Sequence, residues 1–203
     1  MTPYQQRIKP DYNIIHEFVK PNSSVLDMGC GDGSLLESLI KEKNAKGLGL
    51  ELSSEGINQC LKKGLPVLQV NIDKGLADFT DKSFDYVILN MTLQVVYNPL
   101  FVIREMIRVG KKAIVGFPNF GHYRLRLGLA LTGRMPKSKT LPYEWYDTPN
   151  IRLMTVKDFK TMCKKNNINI LKEIYLSDSG KNIPANLANL FASEGVFLLE
   201  ELK

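Results

Sequence analysis

Asp27, Gly29, Gly31 and Gly33 lie within seven residues of one another, and Glu51 follows 18 residues after Gly33. The preceding Ser24-Val-Leu-Asp-Met28 reads as a short apolar strand, and Leu35, Leu36, Leu39 and Ile40 mark one face of a helix after the glycines. Glycine at the junction of strand and helix permits a left-handed turn and lets a ligand approach the backbone with no Cβ in the way. A carboxylate at the end of the next strand can accept from two ribose hydroxyls. This is nucleotide-binding chemistry.

Two ligand types use such a turn. The dinucleotide pattern GxGxxG requires glycine or alanine at position 34, where this chain has Ser34. A pyrophosphate at the helix N-terminus would also lie beside Asp27 and Asp32, which repel it. S-adenosylmethionine brings an ammonium and a sulfonium, and its demethylated product S-adenosylhomocysteine keeps the ammonium. Asp27, Met28, Gly29, Cys30, Gly31 and Gly33 are therefore expected to hold one of these two, with Glu51 and Leu52 at the ribose. Asn71, Ile72 and Asp73, after the third strand, are placed at the adenine, although Asp73 could instead cap the following turn. Asn90 and Met91, within Leu89–Leu93, are placed on the methionine side.

The segment after the fourth strand, Asn90-Met-Thr-Leu93, lacks the Asn/Asp-Pro-Pro-aromatic tetrad of enzymes that methylate exocyclic amines. His122 is the best candidate general base, although a hydrogen-bonded loop histidine is the favoured reading of it. Phe117, Phe120, Tyr143, Trp145 and Tyr146 could close a lid over the cofactor, pack beneath a long loop, or form a partner surface. Cys30, Cys60 and Cys163 are widely spaced and form no CxxC pair, so no metal site is expected.

The elements that must position these residues alternate. Helices are expected at 11–19, 54–63, 98–108 and 155–166, and strands at 24–28, 46–52, 67–70, 84–90, 112–117, 168–176 and 195–199. A helix over Gly121–Thr132 is expected although Tyr123, Leu125, Leu127, Leu129 and Leu131 also alternate like a strand, and a short helix is expected within 184–192. Apolar strands alternating with helices argue for a mostly parallel sheet covered on both faces. One domain over 1–203 is expected, with an inserted helix and loop lid at about 118–150.

Hydrophobic residues make up 44% of the 203, and charged residues 24%, as in ordinary globular domains. No run approaches the roughly 20 apolar residues of a membrane span, and MTPYQQRIKPDY has no signal-peptide core, so a cytoplasmic location is expected. The net charge is +6, yet 104–139 alone carries nine Lys or Arg (104, 108, 111, 112, 124, 126, 134, 137, 139) against Glu105, an excess of +8. That run could be a solvated face, an attraction for an acidic substrate through Arg124, Arg126 and Arg134, or an RNA-binding face; nucleic acid is the least favoured.

On VLDMGCGDG (25–33), GLGLE (47–51) and FDYVILN (84–90), the chain resembles the class I S-adenosylmethionine-dependent methyltransferases. On KGLADF (74–79), SFDYVILNMTLQ (83–94), FPNFGHYRLRLGLALTGRMP (117–136) and LPYEWYDTPNIRL (141–153), it more narrowly resembles the MetW family of methionine biosynthesis. The resemblance implies a Rossmann-like α/β fold whose seven-stranded sheet has an antiparallel last strand. It also implies a role beside a homoserine O-acyltransferase, with methyl transfer to a small molecule as the alternative. Asn71 stands where that family more often has Asp, and Tyr123 where it has Trp.

Overall fold

The computed structural model describes residues 10–138 and 140–202. Seven strands form one sheet: β1 (Ser24–Met28), β2 (Lys46–Glu51), β3 (Val67–Gln69), β4 (Phe84–Asn90), β5 (Gly110–Pro118), β6 (Ile168–Leu176) and β7 (Glu194–Glu201). Their order across the sheet is β3-β2-β1-β4-β5-β7-β6. Every pairing from β3 to β5 is parallel, and β7 runs antiparallel to both of its neighbours. The helices are α1 (Pro10–Phe18), α2 (Ser34–Lys43), α3 (Ser54–Lys62), α4 (Pro99–Val109), α5 (Tyr123–Thr132), α6 (Val156–Lys165) and the single-turn α7 (Ala188–Phe191). This is the Rossmann-like class I methyltransferase architecture.

The pleat divides the strand residues between two cores, because successive side chains point to opposite faces. Leu26, Met28, Val87, Leu89, Val115, Phe117, Phe197 and Leu199 pack with Ile103 and Met106 of α4 and Phe159 of α6. Val25, Tyr86, Ile88, Ile114, Val196 and Leu198 pack on the other side with Ile15 and Phe18 of α1 and Leu35 and Leu39 of α2. The same alternation sends Asp27 and Asn90 to the α1 face, at the carboxyl ends of two adjacent strands.

Capping explains most of the helix bounds. Asn98 accepts from Phe101 N and Pro99 takes the first position of α4, as expected from the sequence. Thr155 and Asp158 form a reciprocal capping box at the start of α6. α5 begins at Tyr123 rather than Gly121, because His122 is its cap. α7 is shorter than the expected helix within 184–192 and follows a turn from Pro184 O to Leu187 N.

One buried side chain ties the end of β5 to the start of α6 and to α7. Asn119 is 1% exposed. Its Nδ2 donates to the carbonyls of Ala188, Asn189 and Ala192, and its Oδ1 accepts from Gly121 N and Val156 N. Asn119→Ala leaves these buried groups unpaired and is expected to lower the unfolding free energy by about 3 kcal/mol. Urea denaturation checks this: the midpoint should fall with no change in slope.

Candidate functional site

The glycine loop is shaped by backbone bonds before any ligand arrives. Gly29 N and Cys30 N both donate to Leu50 O, at 2.7 and 3.1 Å, turning the chain sharply as it leaves β1. Gly29, Gly31 and Gly33 have φ of 68°, 57° and 73°, the left-handed region that favours glycine. They serve different purposes. A Cβ on Gly29 would lie 2.7 Å from Thr92 Cγ2, and one on Gly33 would lie 2.5 Å from Leu65 Cδ1, so these two allow close packing. A Cβ on Gly31 would meet nothing within 4 Å. The loop is open to a ligand at Gly31 alone.

Met28 is buried in the core beneath the loop. The Cys30 thiol lies 3.8 Å from that of Cys60, which also donates to Gly31 O at 3.4 Å, so the pair fastens the loop to α3. Burial pushes both thiols above their ordinary range, Cys30 much the further. These are packing thiols rather than nucleophiles.

The acids do not share one role. Asp27 is 2% exposed, and desolvation, followed by repulsion from Glu51, pushes its carboxyl up to about 7. Tyr12 is also raised, by burial and then by Asp11, Asp27 and Asp32. A carboxylate this costly to ionise becomes favourable once a cation is set beside it. Asp32 differs from expectation. It accepts from Ser34 N and Oγ, and Lys63 Nζ lies 3.3 Å from its carboxylate. Burial raises its pKa, but these hydrogen bonds and Lys63 together hold it below the ordinary value. Repulsion of a diphosphate therefore rests on Asp27 and Glu51, with Asp32 neutralised on the outer side.

Glu51 is engaged by the backbone. Its Oε2 accepts from Gly31 N at 2.9 Å and its Oε1 from Leu52 N and Ser53 N, each at 2.8 Å. It couples the end of β2 to the open glycine and keeps lone-pair capacity for a diol. Leu52 beside it is exposed. Asn71 Oδ1 accepts from Asp73 N, capping the single 3-10 turn Ile72–Lys74. Asp73 Oδ1 accepts from Tyr97 N and Asn98 N rather than capping that turn. Ile72 packs partly buried against the main core.

Beyond β4 the chain takes a strained step. Met91 has φ 52°, uncommon for a residue with a side chain, and donates to Gly116 O. Asn90 Nδ2 donates to Asp11 Oδ2 at 2.6 Å, while Asn90 Oδ1 is buried with no partner. Of the stretch Leu89–Leu93, Leu89 and Leu93 are buried in the core and do not face a ligand. Met91 does line a cavity of about 510 Å³, with Pro10, Asp11 and Gln94.

His122 caps α5. Its Nδ1 accepts from Arg124 N, and burial lowers its pKa. Tyr143 lines the large cavity and also a smaller one of about 200 Å³ with Phe120 and Trp145. Trp145 and Tyr146 meet edge to face and remain exposed. Phe117 belongs to the core, stacked on Phe197 with centroids 5.5 Å apart. The basic run divides as well. Arg104, Arg108, Lys111 and Lys112 lie at the start of β5 or before it, and Arg124, Arg126 and Arg134 lie beyond its end. Six residues of β5 beyond Lys112, roughly 20 Å of strand, separate the groups, so no single basic face spans both among the described residues. Lys139 lies outside them. Arg126 is engaged by Gly121 O and Asn189 O, and Arg124 by Asp178 and Tyr123.

A family model described as "Methionine biosynthesis protein MetW" matches residues 9–199. The chain belongs to the MetW family. It is 36% identical over 205 residues to the bifunctional methionine biosynthesis protein MetXA/MetW of Rhodopirellula baltica. That match covers 96% of this chain and 33% of the relative, so the chain spans a third of that protein's length. Among solved structures, a SAM-dependent methyltransferase from Thermotoga maritima superposes with TM-score 0.67 at 16% identity, covering 94% of this chain and 87% of the other. The [4+2]-cyclase SpnF gives 0.67 at 14%, covering 98% and 84%. These likenesses establish the fold, which does not itself fix a reaction.

Linkage at Asp27 has a definite sign. Its folded pKa lies above the unfolded value, so the folded state holds more protons between about 4 and 7, and stability falls as pH rises through that window. Asp27→Asn is expected to remove this slope and raise stability at pH 8, by at most about 4 kcal/mol. Thermal unfolding from pH 4 to pH 8 of the ligand-free protein and the variant checks it.

Proposed function

We propose that this chain binds S-adenosylmethionine or S-adenosylhomocysteine and, in that state, supports a homoserine O-acyltransferase. The observation that carries the first half is the glycine turn, open at Gly31, above a buried Asp27 whose charge asks for a cationic neighbour. The residues fit an adenosyl-sulfur ligand: Asp27 toward the ammonium, Glu51 toward the ribose, Asn71 and Asp73 at the end of β3 toward the adenine, and Asn90 on the methionine side. When bound, such a cofactor supplies an electrophilic methyl group or, without it, reports that methyl transfer has occurred.

The second half is supported by α5 and the stretch after it. α5 buries only Leu125, and Leu127, Leu129 and Leu131 are exposed with Trp145, Tyr146, Ile151 and Leu153 nearby in sequence. Exposed apolar residues of this density suit a protein partner. The relative that joins MetXA and MetW in one polypeptide supports association between such units. The region 118–150 then acts as partner surface and roof over the cleft.

Methyl transfer to a small acceptor is the second reading, favoured by the cavity beside Met91. Arg124, Arg126 and Arg134 do not line that cavity, so they give no reason to expect an acidic acceptor. Transfer of a labelled methyl group to a metabolite extract would support this reading, and none across a broad acceptor panel would count against it.

Two measurements test the first reading. Gly31→Ala places a methyl group in the open cleft and is expected to weaken S-adenosylhomocysteine binding at least tenfold, with only about 1 kcal/mol lost in stability for the positive φ. Calorimetry and denaturation on the same sample separate the two effects. Leu131→Glu with Trp145→Ala is expected to reduce co-purification with the acyltransferase about tenfold or more and leave cofactor binding unchanged. An acyltransferase that neither associates with the wild-type chain nor changes rate in its presence would overturn the partner reading.

A further inference from the structure

The smaller cavity, of about 200 Å³, is walled mainly by apolar side chains. Leu141 is buried and Phe120 half-buried in it, whereas Met135, Trp145 and Leu153 are exposed at its rim. Its one charged lining residue among those described, Glu144, is paired with Lys137. Small-molecule sites usually begin at roughly 300 Å³, so this space is too small for a cofactor. A single anchoring side chain is what a pocket of this kind receives at a protein interface.

The pocket is continuous with α5. Pro136 lines it, and a Cβ on Gly128 would lie 3.3 Å from Pro136 Cβ, so the wall packs directly on that helix. Leu127, Leu129 and Leu131 extend the exposed apolar surface from there. The Leu153 side is held independently. Ile151 N and Arg152 N both donate to Gln94 O at 2.9 Å, and the Arg152 guanidinium donates to Tyr97 O. Leu153 is therefore set at the rim by bonds to the 3-10 turn Leu93–Val95 and the residues after it. A wall fixed in this way has little left to order when a guest arrives, which favours binding.

The surrounding sequence is basic. Residues 106–143 include no Asp or Glu. Arg124 is paired with Asp178 and Lys137 with Glu144, whereas Arg134, next in the chain to Met135, pairs with no acid among the described residues. An uncompensated guanidinium beside an apolar pocket suits a carboxylate beside an apolar anchor. We infer that this pocket seats one aromatic or large aliphatic side chain of the acyltransferase, presented next to an acidic residue that meets Arg134. The inference rests on the partner reading above and specifies the segment that reading leaves open. A second copy of the chain, itself +6, fits this surface poorly by charge. The relative that joins MetXA and MetW in one polypeptide supports the acyltransferase as occupant.

Calorimetric titration of the purified homoserine O-acyltransferase into the full chain tests it. Leu153→Trp fills the pocket and is expected to weaken association at least tenfold. Leu61→Ala, which trims an exposed leucine on α3, is expected to change it less than twofold. Arg134→Glu is expected to weaken association fivefold or more and to flatten its salt dependence. Circular dichroism and S-adenosylhomocysteine affinity are expected to match the wild type in all three. With p-benzoylphenylalanine in place of Trp145, the cross-link is expected at an apolar residue adjacent, in sequence or across one helical turn, to an Asp or Glu. Association that Leu153→Trp and Arg134→Glu leave intact, or a cross-link to a segment without acids, overturns this inference and spares the partner reading. Self-association of the chain that Leu153→Trp abolishes assigns the pocket to a second copy and overturns it as well. No association of the wild-type chain overturns the partner reading and this inference together.

Discussion

The carbonyl of Leu50 accepts from two successive amides, those of Gly29 and Cys30, and the architecture of the site follows from that bond pair. It forces the chain to leave β1 in a left-handed step, which only a residue without Cβ takes at little cost. The next residue of β2, Glu51, then reaches the amide of Gly31 and holds the far side of the same loop. A strand and its neighbour thus fix the loop at two points. Gly31 stays open between them, and Asp27 stays sealed beneath with its charge unsatisfied.

That unsatisfied charge links folding to binding. Protein interiors tolerate an ionised carboxylate only when something compensates it. Here the strongest neighbouring charge in effect is a second acid. Asp27 therefore carries destabilisation at neutral pH, and on the proposed reading a cationic ligand beside it relieves that cost, coupling binding to folding through one side chain. A packed hydrophobic residue at position 27 would make a steadier fold and a poorer site.

The parts that were legible in the sequence are those governed by local pattern. FDYVILN reads as a buried strand, Asn98-Pro99 as a helix start, and the glycine loop as a ligand turn, because the deciding residues are neighbours in the chain. What was illegible depends on distant partners. Lys63 neutralises Asp32 across 31 residues, and Asn119 joins segments 37 to 73 residues away. The basic run looked continuous in one dimension and is divided in three, because β5 carries its two halves to opposite ends of the sheet. α5 was ambiguous for a physical reason: it buries a single residue, so no periodic core face marks it.

The reversed strand has a consequence for how the rim of the sheet is furnished. In an all-forward sheet, only strand ends and the loops after them face the ligand edge. Because β7 runs the other way, its first residue, Glu194, arrives at that edge, paired in register with Pro118 on one flank and Leu176 on the other. The carboxylate is thus set in the rigid floor, whereas Thr140, Pro142, Tyr143 and Asn150 above it belong to irregular chain. The floor of that edge is therefore fixed by strand pairing on both flanks, and the ceiling by loop contacts alone.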